Sequence, residues 1–211
     1  MRTITRFHLE LQDFPDYTTP TQEENWVTNL RQWGFTIYRT YYGTGSDEQW
    51  SELLKNVIDG VTQGLGRMEE ADENPDATTQ IRERFQLDAR SDPATLDGLT
   101  LEHVQQLYVK GSGGRPMNTD KPIWRILLLA DAQVLQDPNL RLIKAVAADY
   151  DPVAAVPRNT RAGPQRYFGW ITMPTTAVLD LYTELDTFYF EEIVYHTSGG
   201  PGAFWDPLDP Y

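Results

Sequence analysis

The stretch from Trp33 to Gly43 limits the possible folds most, because it predicts a strand that connects two helices. Over residues 35–41, aromatic and β-branched side chains alternate with a period of two, and Gly34 and Gly43 punctuate the run at its ends. We therefore expect an extended segment here that is entered from one helix and left into another.

The residues after this strand predict an amphipathic helix. The run from Ser46 to Gln49 has the spacing of a capping box, in which side chains satisfy free backbone amides at the start of a helix. The apolar residues that follow recur at the intervals of one helical face: Trp50, Leu53, Leu54, Val57, Ile58 and Val61. We expect this face to cover the sheet that contains residues 35–41.

A second capping-box pattern, from Thr21 to Glu24, stands before the strand. Trp26 and Trp33 follow it at positions that share one helical stripe. The sequence therefore predicts an N-terminal helix over residues 21–33.

The rest of the chain predicts a mixture of strands and helices. Residues 64–120 change in composition and are expected to form a helical insertion and linker. The further elements expected are strands over 123–130, 140–149, 167–173 and 188–195, and a helix that begins at Thr175. Residues 197–211 are rich in glycine and proline and predict an irregular aromatic tail.

Together these elements predict an α+β fold, a ferredoxin-like sandwich with a mostly antiparallel sheet, helices packed on one face and a helical insertion. A doubly wound sheet is disfavoured because no glycine-rich fingerprint follows any predicted strand. The hydrophobic content of 40% is that of a folding chain, and 211 residues can form one core, so we expect a single domain over 1–211.

Charge and cysteine content exclude several classes of function. A formal net charge of -13 would repel nucleic acid and anionic membrane surfaces, so we expect neither as a partner. The absence of cysteine excludes disulfides, thiolate metal sites and a cysteine nucleophile. The three histidines show no zinc-binding spacing, and no cofactor motif is present, so we expect no metal and no cofactor. A cytoplasmic location is the expectation for such a chain.

Five residues are candidates for catalytic chemistry. Arg39 ends the first predicted strand and could clamp an anion or a carbonyl, while Tyr38 and Tyr41 could donate hydrogen bonds. Asp131 follows a buried strand and His196 lies near the carboxyl terminus, and either could transfer a proton. Four of them have a structural alternative: a salt bridge to the next helix for Arg39, a helix cap for Asp131, and core packing for the two tyrosines.

A pair of carboxylates, Asp149 and Asp151, could also act as acid and base. A turn in which aspartate side chains bond to nearby backbone amides explains the same residues more simply. Both interpretations are kept open.

Two further segments predict ligand binding. Arg158, Arg161 and Arg166 form a positive spot in an acidic chain, which could hold a carboxylate, a phosphate or an acidic partner. The alternative is a solvated loop. Trp205 in the tail is either packed into a groove of the protein itself or an anchor for a second copy, so a homodimer is one expectation.

Two functional hypotheses follow from these residues. The first is a binding module for a small molecule or a protein partner. The second is a cofactor-independent enzyme, such as a cyclase, isomerase or lyase, that holds a largely apolar substrate in a cleft. The enzyme hypothesis predicts that at least two of Arg39, Asp131 and His196 point into one pocket.

The motif W-G-F-x-I-Y-R-T-x-Y-G at 33–43, followed by S-D-E-x-W at 46–50, resembles the start of a large group of fungal proteins of uncharacterised function. In that group a strand that ends in arginine precedes a helix opened by a Ser-Asp pair. The later runs 125–129 and 144–151 are similar in kind. The resemblance implies a fungal source and carries no catalytic residues.

Overall fold

The computed structural model describes residues 3–12, 30–120, 125–137, 139–156 and 164–208. Within these ranges the strands are β1 (Trp33–Arg39), β2 (Phe85–Arg90), β3 (Ile126–Ala130), β4 (Leu142–Ala147), β5 (Trp170–Pro174) and β6 (Ala203–Phe204). The α-helices of the same ranges are α1 (Ile4–Glu10), α2 (Ser46–Arg67), α3 (Pro75–Glu83), α4 (Pro93–Leu96), α5 (Leu101–Lys110), α6 (Ala132–Leu135), α7 (Val178–Glu184) and α8 (Phe190–Ile193). The protein is therefore an α+β protein.

The six strands form one mixed sheet in the order β2-β1-β3-β4-β5-β6. β1 lies between β2 and β3 and is parallel to both, because helical crossovers connect β1 to β2 and β2 to β3. β4 is antiparallel to β3 and to β5, and β6 is parallel to β5. This order is not the ferredoxin-like pattern, and parallel pairings outnumber antiparallel ones, so the prediction of a mostly antiparallel sheet is wrong.

Helices cover both faces of the sheet, which corrects the prediction that they pack on one face. α2 and α7 share a large core with Phe35 and Ile37 of β1. On the opposite face, Val104 and Tyr108 of α5 pack with Tyr38. The crossover through α2 and α3 and the crossover through α4 and α5 therefore lie on opposite faces of the β2-β1-β3 unit.

Strand β3 contributes to both cores, as expected for a strand with apolar residues at both its even-numbered and its odd-numbered positions. Its even-numbered residues Ile126 and Leu128 belong to the core with α2, and Leu127 and Leu129 belong to the core with α5. A strand in this position is covered on both sides, which is why it has no polar face.

Trp33 belongs to β1 and not to the predicted N-terminal helix, whose residues 21–29 lie outside the described ranges. Its indole N–H donates to the Ile81 carbonyl at 2.7 Å, and its ring packs against Phe7 and Phe85 with centroids 4.9 and 4.8 Å away. Tertiary contacts with distant aromatic residues therefore outweigh the helical spacing. The predicted strand over 35–41 is real but begins and ends two residues earlier.

Residues 64–120 are not a purely helical insertion, because they supply strand β2 at the edge of the sheet. β2 pairs with β1 from Trp33 to Tyr38. At Gly34, a Cβ would lie 2.1 Å from the Gln86 carbonyl oxygen, so only glycine permits this close pairing.

The last part of the chain also differs from expectation. Residues 188–195 form α8 and a 3-10 turn and not a strand, since Phe190, Ile193 and Val194 are buried at helical spacing. The aromatic tail is partly regular, because β6 adds to the edge of β5. Trp205 follows β6 and is buried in the core with α2, which matches packing into the protein's own groove.

Candidate functional site

Three strand ends meet at one edge of the sheet and border a cleft of about 380 Å³. The Ala148 amide, just after β4, donates to the carbonyl of Arg125, just before β3, at 2.8 Å. The Ala147 amide donates to the Gly169 carbonyl, just before β5, also at 2.8 Å. Residues that flank these ends are distant in sequence but line one cavity, whose size is that of a small-molecule site.

Aromatic side chains wall this cavity, which we call the aromatic cleft. Its lining includes Tyr150, Tyr167, Tyr189 and Phe190. The rings of Tyr150 and Tyr167 have centroids 5.3 Å apart and planes at 87°, and those of Tyr167 and Phe190 have centroids 6.1 Å apart and planes at 74°. Both are edge-to-face pairs, an arrangement that aromatic quadrupoles favour. Neighbouring walls of the cleft are therefore nearly perpendicular.

Acidic groups outnumber basic groups around the aromatic cleft. Arg125 lines it, and its Nη1 lies 2.9 Å from Oδ2 of Asp149 in an ion pair. Among the described residues of the lining, Asp151 and Glu191 are the other charged side chains, so one positive charge faces three negative charges, a net of −2. The Nε–H of Arg125 is buried and has no hydrogen-bond partner among the described residues. The described part of the lining therefore carries a negative formal charge.

Gln165 and Gly169 hold the Tyr150 wall in place. Nε2 of Gln165 donates to the Tyr150 hydroxyl at 3.0 Å and to the Tyr167 carbonyl at 2.9 Å. Gly169 has φ +82°, and a Cβ there would lie 2.3 Å from Cγ of Tyr150. The absence of a side chain at position 169 therefore makes room for this ring.

Burial raises the pKa of Tyr167, and the nearby charge of Glu191 raises it further. The phenol is therefore neutral across the physiological range and can serve as a hydrogen-bond donor or an aromatic surface. The same observation places a carboxylate beside the wall of the cleft.

Two further clefts lie elsewhere. One of about 570 Å³ is lined by α2, the start of β4 and the segment after β5, with Asn56, Asp59 and Arg141 among its polar side chains. The other, of about 280 Å³, includes His196 and Trp205. The former is larger than the aromatic cleft, but the described residues of its lining include no aromatic side chain.

Arg39 is fixed by the start of α2, as its structural alternative predicts. Its side chain is only 3% exposed, and Nη2 lies 2.7 Å from Oγ of Ser46 and 2.7 Å from Oδ1 of Asp47. The guanidinium also donates to the Tyr41 carbonyl and lies 4.3 Å from the ring centroid of Tyr42. These contacts use the group to anchor a helix, and Arg39 lines none of the three clefts.

Asp131 is a helix cap and an ion-pair partner. Its Oδ1 accepts from the Val134 amide at 3.1 Å at the start of α6, which confirms the capping alternative. Its Oδ2 accepts from Nζ of Lys144 at 2.5 Å, and that ammonium lies 4.7 Å from the ring centroid of Trp170. The pair links the end of β3 to β4.

The two tyrosines of the predicted site are separated by the sheet. Tyr38 is buried against α5, burial raises its pKa, and its hydroxyl has no hydrogen-bond partner among the described residues. The Tyr41 hydroxyl instead accepts from Nε2 of Gln136 at 2.9 Å.

The remaining predicted residues are dispersed. His196 is exposed and shares the 280 Å³ cleft with Trp205, Glu184 and Asp206. Arg166 donates to the Thr197 carbonyl at 2.5 Å. Arg158 and Arg161 lie outside the described residues.

Sequence reasoning missed the aromatic lining. For residues 149–151 it considered only an acid-base pair or a turn, and Oδ1 of Asp151 does accept from the amides of Val153 and Ala154 as a turn requires. A signal for this lining was present in the sequence. Tyr150, Tyr167 and the pair 189–190 all lie at or near the ends of the strands predicted over 140–149, 167–173 and 188–195. Only the sheet order shows that these ends meet.

Within the described ranges, no three His, Asp or Glu side chains converge in a way that could hold a metal ion. None of the helices in those ranges has the length and apolar character needed to cross a membrane. Comparison with known proteins finds no significant match to a family model, a curated protein or a solved structure. The resemblance of residues 33–50 to a fungal group therefore stays a prediction.

Proposed function

We propose that this protein is a cytoplasmic binding module that holds a small molecule in the aromatic cleft. The observation that carries this proposal is the convergence of four aromatic side chains with the guanidinium of Arg125 in one cavity. An apolar cavity with a few directed polar groups is the usual composition of a ligand site.

Binding is favoured over catalysis by the positions of the candidate catalytic residues. Of Arg39, Asp131 and His196, only His196 lines one of the three clefts. Arg39 and Asp131 already have ionic partners of their own, Asp47 and Lys144. The shared pocket that the enzyme hypothesis requires has no support in these contacts.

The test is a thermal-shift screen of small metabolites in which the cleft is blocked by a substitution. Ala155 lines the cleft and is half-buried, so Ala155→Trp should fill part of it. Ala94 is exposed on α4, and Ala94→Trp is the matched control. A ligand at a concentration of about 100 Kd stabilises the folded state by about 2.7 kcal/mol, a rise of roughly 5–10 °C in Tm for a chain of this size.

We expect compounds that raise the Tm of the unsubstituted protein and of Ala94→Trp to have no effect on Ala155→Trp. Compounds that shift all three proteins equally bind elsewhere, and if every hit does so the proposal fails. Titration of each hit by calorimetry distinguishes loss of binding from a change in the stability of the variant.

A further inference from the structure

The shape of the aromatic cleft restricts the kind of ligand that it can hold. Because Tyr167 is nearly perpendicular to both Tyr150 and Phe190, the rings form a corner and not a stack. A flat ring bound between parallel walls would need a slot, whereas a corner of aromatic faces suits a compact, rounded group. A methylated ammonium is such a group, and aromatic faces attract cations through the ring quadrupole.

The charges around the cleft favour a cation. Asp149 offsets the charge of Arg125 at 2.9 Å, which leaves the carboxylates of Asp151 and Glu191 without a cation among the described residues of the lining. The whole chain carries a formal charge of -13, which disfavours the approach of an anion. Glu191 lines the same cleft as Tyr167, and its charge adds to burial in raising the pKa of that phenol.

We propose that the aromatic cleft binds an organic ammonium ion, a methylated amine. This inference rests on the proposed function, since it names the ligand class of the same cleft. Tyr189 and Glu191 are the side chains that provide exposed recognition groups, and both stand at the start of α8.

The experiment compares two probes of equal shape by isothermal titration calorimetry. The first is choline, and the second is its uncharged analogue in which a quaternary carbon replaces the nitrogen. If the charge is recognised, choline should bind at least about tenfold more tightly than the analogue, and its affinity should weaken as salt is added. Equal affinity for the two probes would overturn the ammonium inference while leaving an apolar binding cleft.

Two substitutions test the named residues with matched controls. Tyr189→Leu keeps apolar volume but removes the aromatic face, and Glu191→Gln removes a charge at constant shape. The controls are Tyr195→Leu and Glu52→Gln, exposed residues outside the cleft lining, with Tyr189 59% and Tyr195 68% exposed. We expect each cleft variant to weaken choline binding about three- to tenfold and the controls to leave it unchanged.

The outcomes separate this inference from the proposed function. If neither probe binds, but other compounds from the metabolite screen bind and are blocked by Ala155→Trp, the ammonium inference is wrong and the binding function stands. If choline binds equally well to Ala155→Trp, the ammonium inference is wrong, because choline is then recognised outside the aromatic cleft. The proposed function fails with it only if every hit of the metabolite screen also binds that variant.

Discussion

Gly169 and Tyr150 are in such close contact that the first cannot carry a side chain while the second keeps its position. A Cβ at position 169 would lie 2.3 Å from Cγ of the tyrosine, and the backbone of Gly169 has φ +82°. The wall of the aromatic cleft is therefore set by the backbone at the start of β5 as well as by the ring itself.

The first prediction is that Gly169→Ala destabilises the protein by about 2 kcal/mol or more and displaces the Tyr150 ring. The left-handed backbone conformation costs about 1 kcal/mol for alanine, and the overlap with the ring adds to that. Gly98→Ala is the control, because Gly98 also has positive φ, +66°, but an added Cβ there meets no atom within 4 Å. Urea denaturation measures both, and equal losses would show that the contact with Tyr150 carries no weight.

The second prediction concerns the ion pair between Asp131 and Lys144, whose side chains are 28% and 8% exposed. Asp131→Asn keeps an oxygen to cap α6 but leaves a nearly buried ammonium without its counter-charge. We expect a loss of about 2–4 kcal/mol in the free energy of unfolding, somewhat below the range for fully buried pairs because the carboxylate is partly solvated.

Addition of Lys144→Met to that variant should recover most of the loss, since methionine fills similar volume without a charge. The double-mutant cycle, measured by urea denaturation, gives the coupling energy directly. A double variant as unstable as the sum of the single variants would contradict the assignment of this contact as an ion pair.

The third prediction is a pH dependence of stability from Asp180. Burial raises the pKa of this carboxyl to about 6; the charge of Arg67 opposes the shift, whereas those of Glu184 and Asp206 add to it. The folded state therefore binds a proton more tightly than the unfolded chain, in which the pKa is about 3.9. Stability from this group should be highest below about pH 4 and fall as pH rises through about 6.

Asp180→Asn should remove this dependence. At neutral pH we expect the variant to be about 1–2 kcal/mol more stable than the unsubstituted protein, with the two converging at about pH 4. Asp72→Asn, at an exposed position, is the control. Thermal unfolding at a series of pH values checks the difference curve, and a constant difference across the series would contradict the prediction.

Local sequence predicted the elements whose stability depends on their own periodicity. The helix from Ser46 is present because its apolar stripe and acidic first turn act within one segment. Asp131 was identified as a possible cap because a cap is also local, and the salt bridge of Arg39 was foreseen because Asp47 lies only eight residues away. These are contacts between near neighbours in the chain.

The candidate site could not be predicted in the same way. Tyr150 and Tyr167 are each visible as an aromatic residue near an element end, but their meeting depends on the antiparallel register of β4 and β5. Arg125 interrupts the apolar run of residues 126–130 at its start, and its pairing with Asp149 requires β3 and β4 to be adjacent. Sheet order is not contained in any local pattern.

The sequence by itself therefore determined an acidic α+β chain, the strand of residues 35–39 with its amphipathic helix, and the apolar strand covered on both sides. Only the tertiary structure decided that residues 85–90 join the sheet, that helices lie on both faces, and that four aromatic residues form one cleft. The physical reason is the sequence separation over which interactions act. Propensity, capping and periodicity act over a few residues, whereas strand pairing and burial depend on long-range contacts that form only when the whole chain is folded.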